Sequence, residues 1–445
     1  MDKCEWDNVN TQHNSCTLTG AAAFFAGIPD AAIVINGPLW CYFYAQRYVE
    51  RSCPTVGNRF YCSQTDNNAV VYGTEDYLIE TLQLVKENSR PSVLLIENSC
   101  AISLIGDDIA GIAAQAELPC PVVCMDSGGL KGAFSEGYQA GAKAYFAKMP
   151  LKPRGEVKPH TVNLLGCTLG YYNAANDLRE LKRMLQLAGY EVVACPGAGS
   201  STEEIANMTK AELNIVVHEE LGGRIAQYLQ KEYGMPYVSL LPPYGIEGSI
   251  NWLRAIGQIM WMGDQSYLAL QQEADQLSKY IYAEISDMQK IWGDPTFERT
   301  LLVAPSSIAL GMAQALRSEW VDTGDLTVVL QNGTLSYPVP TSVTTAINGQ
   351  GNSLAIEREL MGLSGGLLLG SSNEKAILQQ KAVVNVLCQN IALPVYDEVI
   401  LTNRAFMGLG GACHMIEKLW NGYGLFCQKK EEKGRSTIST VKKMI

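Results

Sequence analysis

Ser92-Val-Leu-Leu-Ile-Glu97-Asn-Ser-Cys100-Ala-Ile-Ser-Leu-Ile-Gly106-Asp107-Asp108-Ile109 decides the fold of this chain. Residues 92–96 form an apolar run of strand length. A run without alternation marks a strand covered on both faces, hence a parallel sheet between helices. A cysteine in a turn-like setting follows it. The same pairing stands earlier, where residues 31–35 lead through Asn36-Gly-Pro-Leu-Trp-Cys41. A third cysteine, Cys16, lies in Asn14-Ser-Cys-Thr. Thiols at the ends of neighbouring strands converge on one point. Soft thiolates held that way suit iron–sulfur chemistry better than a hard cation such as magnesium.

Working outward, the same alternation of strands and helices fills the chain, so the fold class is α/β with parallel sheets. A length of 445 residues exceeds one core and implies two or three domains. Residues 31–35, 92–96 and 121–125 read as strands of a first domain, with a helix at 75–88. Residues 149–159 are basic and Pro-containing and read as a linker. A second series follows: strands at 162–165, 191–194, 214–217 and 237–240, and helices at 176–188 and 224–233. Residues 249–292 are helical in pattern. The third series has strands at 300–303, 327–330 and 366–369 and helices at 308–317 and 374–387. A final helix covers 407–420. The expected domains are 1–158 with the three cysteines, 159–297 with a long helical connector, and 298–427. Residues 428–445 are read as a polar, mobile tail.

Apolar residues make up 47% of the chain and charged residues 18%. So sparsely charged a surface points to large subunit interfaces. A formal charge of −11 argues against nucleic acid and anionic membranes as partners. No apolar run reaches membrane-spanning length. The N-terminal Met-Asp-Lys-Cys-Glu-Trp-Asp lacks the basic and apolar regions of a signal segment, so a cytoplasmic location is expected. Structural disulfides are rare there. The thirteen cysteines include no CxxC pair, which argues against ferredoxin-type and zinc-ribbon sites. Most read as small buried hydrophobes, Cys124 and Cys195 among them.

The string from Cys100 to Ile109 resembles the nitrogenase component 1 signature, a cysteine followed after five residues by Gly-Asp-Asp and an aliphatic residue. Ile35-Asn-Gly-Pro-Leu-Trp-Cys41 resembles the second cysteine motif of that superfamily, and Cys16 fits the first. Leu213-Asn-Ile-Val-Val217 and Glu232-Tyr-Gly-Met-Pro236 look like its middle domain; Gly370-Ser-Ser372, Leu393-Pro-Val-Tyr-Asp397 and Gly408-Leu-Gly-Gly-Ala412 look like its third. The resemblance covers nearly the whole chain and implies three Rossmann-like domains. It implies Cys16, Cys41 and Cys100 as ligands of an iron–sulfur cluster at a subunit interface, eight-iron and P-cluster-like or four-iron. It also implies a homodimer, or a heterodimer with a related component 1 subunit, and a P-loop iron–sulfur ATPase reductase as electron donor. The chain has no P-loop of its own.

Departures from the resemblance shape the functional expectation. The family usually has His at position 36 and Gly at 40; here stand Asn36 and Trp40. Where nitrogenase holds its active-site metallocluster with one cysteine and one histidine, this chain aligns His218 and Met407. Reduction of dinitrogen is therefore disfavoured. The expectation is an oxidoreductase acting on another substrate, such as a conjugated tetrapyrrole double bond, or a non-catalytic scaffold for cofactor assembly. His218 ends an apolar strand, where α/β sheets put their crevices, and reads either as a core residue or as a substrate-facing acid. Glu219 or Glu220 beside it could complete a proton-delivery pair, with Glu219 taken as the candidate, or could simply charge a helix start. The glycine-rich turn Gly128-Gly129-Leu-Lys131-Gly132 reads as backbone walling the cluster, with Gly129 its candidate contact. Asp107 and Asp108 read as shaping the segment after Cys100.

Overall fold

The computed structural model describes residues 15–128, 131–261 and 263–444. Gly129, the candidate contact of the glycine-rich turn, lies outside the described residues.

Three parallel sheets make up the architecture. The first runs β2-β1-β3-β4, with β1 Ala31–Asn36, β2 Phe60–Cys62, β3 Val93–Asn98 and β4 Val122–Asp126. Every residue of β1 and of β3 is buried, as the unbroken apolar runs require. Ala32, Val34, Leu94 and Ile96 pack on one face against Leu78, Leu82 and Val85 of helix Glu75–Asn88 and against Ile109 and Ile112. Helices Thr17–Ala26 and Phe134–Lys148 cover the other face.

The second sheet runs β6-β5-β7-β8, with β5 Lys158–Leu165, β6 Glu191–Ala194, β7 Ala211–Val216 and β8 Tyr237–Ser239. The third runs β11-β10-β9-β12-β13, with β9 Thr296–Ala304, β10 Asp322–Leu330, β11 Thr345–Asn348, β12 Leu367–Gly370 and β13 Leu387–Asn390. Its core joins Leu301, Val303, Val329 and Leu368 to Ile356, Leu360 and Leu378.

The chain divides into two compact units. One holds the first two sheets, up to Leu178 and again from Gly189 to Leu240; the other holds Arg179–Ala188 and everything from Leu241 onward.

Two expectations change. The helix expected over 374–387 is Ser372–Gln380, because Ala382 and Asn385 take positive φ values of 54° and 60° that end it and lead into β13. The stretch expected as a mobile tail continues the last helix, which spans Gly408–Met444. Among the described residues no helix is long and apolar enough to cross a membrane.

Candidate functional site

All three candidate thiols stand at helix N-termini at one end of the first sheet. Cys16 is the N-cap of Thr17–Ala26, Cys41 is the third residue of Leu39–Glu50, and Cys100 is the first residue of Cys100–Ile105. The sequence places Cys41 and Cys100 in turns after strands. Helices in fact begin at those turns, so each thiol stands among the unpaired N–H groups of a first helical turn. Each cysteine is half-buried, so the sulfurs are within reach from outside the chain.

Close backbone contacts bring the three turns together. A Cβ on Gly37 would stand 2.5 Å from Cβ of Ser99, the residue before Cys100, so the Cys41 and Cys100 turns abut. A Cβ on Gly128 would stand 3.2 Å from Cα of Cys100. Thr17, next to Cys16, donates through its hydroxyl to the carbonyls of Ser127 and Gly128 at 2.7 and 2.9 Å. Ser99 N–H donates to the Asn36 carbonyl at 3.0 Å. The first described residue of the glycine-rich turn thus packs directly behind Cys100.

The electrostatics agree with this geometry. Burial, then repulsion from Cys16, Cys100 and Cys62, pushes the Cys41 thiol up to about 11. These sulfurs therefore sense one another, and without a compensating positive charge Cys41 keeps its proton at neutral pH. Cys62 carries no signal in the sequence. It closes the short edge strand β2, which has no pattern beyond an aromatic pair. Among the described residues no three carboxyl, thiol or imidazole groups lie close enough to hold a single metal ion. A polynuclear cluster sets its ligands farther apart than one ion does, and an all-sulfur donor set is the chemistry such a cluster takes.

Asn36 replaces an expected histidine with a buried polar hub. Its side chain donates to Thr74 Oγ1 at 3.1 Å and to Asn98 Oδ1 at 2.9 Å, and accepts from the Ser63 hydroxyl at 2.9 Å. Trp40 points outward, is 70% exposed, and stacks on Tyr44 with centroids 6.5 Å apart. Leu39, Phe43 and Tyr44 are exposed on the same helix, as is Leu104 on the Cys100 helix. Exposed apolar side chains thus share the helices that carry Cys41 and Cys100. Asp108 caps the following helix by accepting from Gly111 N–H at 3.0 Å. Asp107 instead ties that segment to Thr74, accepting from its N–H and hydroxyl at 2.7 and 2.8 Å.

The second candidate region is built differently. His218 is the N-cap of helix Glu219–Tyr233 and is buried edge-on against Tyr171, with ring centroids 5.0 Å apart. Burial pushes its pKa down to about 3, so it is neutral at pH 7. Glu219 opens the helix and is half-buried. The carboxylate turned inward is that of Glu220, which accepts from the Tyr171 hydroxyl at 3.1 Å. The Tyr171 phenol is in turn driven well above its usual range, first by burial and then by Glu220. Tyr171 gives no signal in the sequence either, since it follows β5 in a Gly-Tyr-Tyr loop. In the other unit, Met407 is buried and immediately precedes Gly408, the first residue of the last helix.

The molecule is thus a multi-sheet, parallel α/β protein with three cysteines at the carboxyl end of one sheet. The chain belongs to the nitrogenase component 1 type oxidoreductase family, whose model matches residues 16–423. It is 28% identical over 266 residues to the nitrogenase iron-molybdenum cofactor biosynthesis protein NifE of Clostridium pasteurianum, covering 58% of this chain and 57% of that protein. It is also 28% identical over 250 residues to the nitrogenase molybdenum-iron protein alpha chain of the same organism, covering 54% and 46%. One of the subunits of the light-independent protochlorophyllide reductase of Crocosphaera subtropica is 29% identical over 209 residues, covering 44% and 41%. The matches span about half the length of these curated relatives. A solved structure described as "Nitrogenase Cp1 at pH 5" superposes with a TM-score of 0.71 at 20% identity, covering 93% of this chain and 89% of that one; it speaks to the fold alone.

Proposed function

We propose that this chain is an electron-transferring component 1 subunit whose Cys16, Cys41 and Cys100 hold an iron–sulfur cluster beside a subunit interface. The observation that carries the reading is the gathering of three half-buried thiols, each at a helix N-terminus, at one end of one sheet. When bound, the cluster supplies low-potential electron storage. The residues around it define its setting. Gly128 leaves room for backbone behind Cys100, and the Asn36 hub fixes the turn that presents Cys41.

The exposed Leu39, Trp40, Phe43 and Tyr44 place an apolar docking surface beside the thiols. A second copy or a related subunit suits that surface, with a P-loop iron–sulfur ATPase as electron donor. The proposed domain limits remain 1–158, 159–297 and 298–427, and the proposed location is cytoplasmic.

A second reading, a scaffold for iron–sulfur cofactor assembly, is favoured by His218 and Met407. Both aligned ligand positions are buried side chains, 5% and 2% exposed, and the chain is as similar to a cofactor biosynthesis protein as to a nitrogenase alpha chain. In that reading His218 and Glu219 serve structure; in the first they face a substrate other than dinitrogen. One experiment separates the two. The purified protein is supplied with an iron–sulfur ATPase reductase, ATP and candidate substrates, protochlorophyllide among them. Repeated turnover supports the oxidoreductase; a single stoichiometric release of iron and sulfide to an acceptor supports the scaffold.

A further inference from the structure

We infer that Cys62 is a fourth thiol of the cluster site, so that a single chain carries a complete four-cysteine set. This rests on the proposed cluster and goes beyond it, because three thiols from one chain leave one corner of a four-iron cluster to an outside donor.

The geometry comes from the register of the first sheet. Cys62 is the last residue of β2 and lies opposite Ile35 on β1, one residue short of that strand's end. Cys41 leaves from the same end of β1 through Asn36 and Gly37, and Cys100 from the same end of β3. Strands β2, β1 and β3 are adjacent and parallel, so all three send their cysteines to one edge of the sheet. Cys62 Sγ lies 3.4 Å from the Gly37 carbonyl, and Gly37 is the residue packed on Ser99. The thiol therefore lies against the junction of the Cys41 and Cys100 turns.

Cys53, also in this segment, shows how a thiol outside the set is held. Its sulfur sits 3.7 Å from the Thr55 hydroxyl and 3.9 Å from the Arg59 guanidinium, which is itself bonded to the carbonyls of Ile28 and Ala31. The Cys62 sulfur meets backbone groups instead, the Gly37 carbonyl and the Gln64 N–H, each at 3.4 Å. Trading an S–H···O contact for an iron–sulfur bond requires only that the thiol release its proton to solvent as the metal binds.

The test is anaerobic reconstitution of the full chain with ferrous iron and sulfide, followed by iron and sulfide counts, electron paramagnetic resonance and solution mass. The inference expects about four irons per chain, in monomer and dimer alike. It expects Cys62→Ala and Cys62→Ser to lower bound iron by a quarter or more and to change the resonance. Equal iron and an unchanged resonance in both variants, alongside loss of iron in Cys41→Ala, overturn the fourth thiol and leave the three-thiol reading standing. Retention of iron in Cys16→Ala, Cys41→Ala, Cys62→Ala and Cys100→Ala alike overturns both. Thermal melting of the iron-free variants, unchanged from the parent chain, ties any loss of iron to the sulfur itself.

Discussion

The carboxyl ends of the first and second sheets start from the same architecture and arrive at opposite surroundings. At the first, half-buried thiols sit on helix N-termini, and Leu39, Trp40, Phe43 and Tyr44 are exposed on the helix that carries Cys41. At the second, Tyr171 packs on His218 and bonds Glu220, and all three are buried. The first end combines half-buried thiols with exposed apolar side chains, a setting that suits the proposed cluster and partner. The second holds a buried, neutral imidazole. Matching strand ends thus offer different chemistry, set by the exposure of the residues just beyond them.

The largest effect should come from exchanging damage between the two ends. Cys100→Ala is expected to lose most bound iron, while His218→Ala keeps it, as measured by metal analysis of anaerobically purified protein. A His218 variant as iron-poor as the Cys100 variant would erase the distinction between the ends.

A second contrast lies in stability. Glu220→Ala leaves the buried Tyr171 hydroxyl without its acceptor, a loss of about 1–3 kcal/mol by denaturant unfolding, with iron content unchanged. The same substitution at Asp66, which is exposed and caps a short surface helix, should cost less.

The two ends should also answer pH with opposite signs. The folded pKa of His218 lies below its ordinary 6.5, at about 3, so the unfolded chain binds more protons between those values. Stability from that group is complete above 6.5 and is lost as pH falls toward 3. Glu97 on β3 behaves in the reverse way. It is wholly buried, with no well-formed hydrogen bond to either carboxyl oxygen, and burial raises its pKa well above 4.5 against a smaller opposing effect of the nearby Ser127 hydroxyl. The folded chain then holds the proton longer than the unfolded one, so stability is greatest at low pH and falls as pH rises past 4.5. His218→Asn should flatten the acid limb of a stability–pH profile and Glu97→Gln the alkaline limb. Profiles that keep both limbs would assign them to other groups.

The smallest effect on the fold is expected at Trp40. Trp40→Ala should change unfolding free energy by no more than about 0.5 kcal/mol, since the ring is exposed. It should weaken association with a second copy or partner, seen as a lower average mass in sedimentation. Unchanged association would remove Trp40 from the docking surface.

Much of this is legible in the sequence, for identifiable reasons. The buried strands announce themselves because parallel strands need apolar residues on both faces, and helix Glu75–Asn88 ends where its amphipathic pattern ends. The strand reading stops at Ile96 because Glu97 is charged, yet β3 runs to Asn98 and buries that carboxylate. Strands β2, β11 and β13 are not legible although the equally short edge strands β6 and β8 are: β11 and β13 mix polar with apolar residues, and the three residues of β2 hold no pattern beyond an aromatic pair. The helix carrying Cys41 is hidden by its aromatic composition, Leu-Trp-Cys-Tyr-Phe-Tyr, which favours helix weakly. Cys16, Cys41 and Cys100 are legible through their motif. Cys62 and Tyr171 are not, because only the register of β2 on β1 and the loop after β5 bring them into place.

The proposed iron–sulfur cluster at the thiol end of the first sheet is open to measurement. Its most direct test is the iron and acid-labile sulfide content of the protein purified without oxygen, read together with its electron paramagnetic spectrum before and after reduction by dithionite. The account predicts iron and sulfide in near-equal amounts and a spectrum that changes on reduction. Colourless protein, free of iron and sulfide and silent in both states, would contradict it.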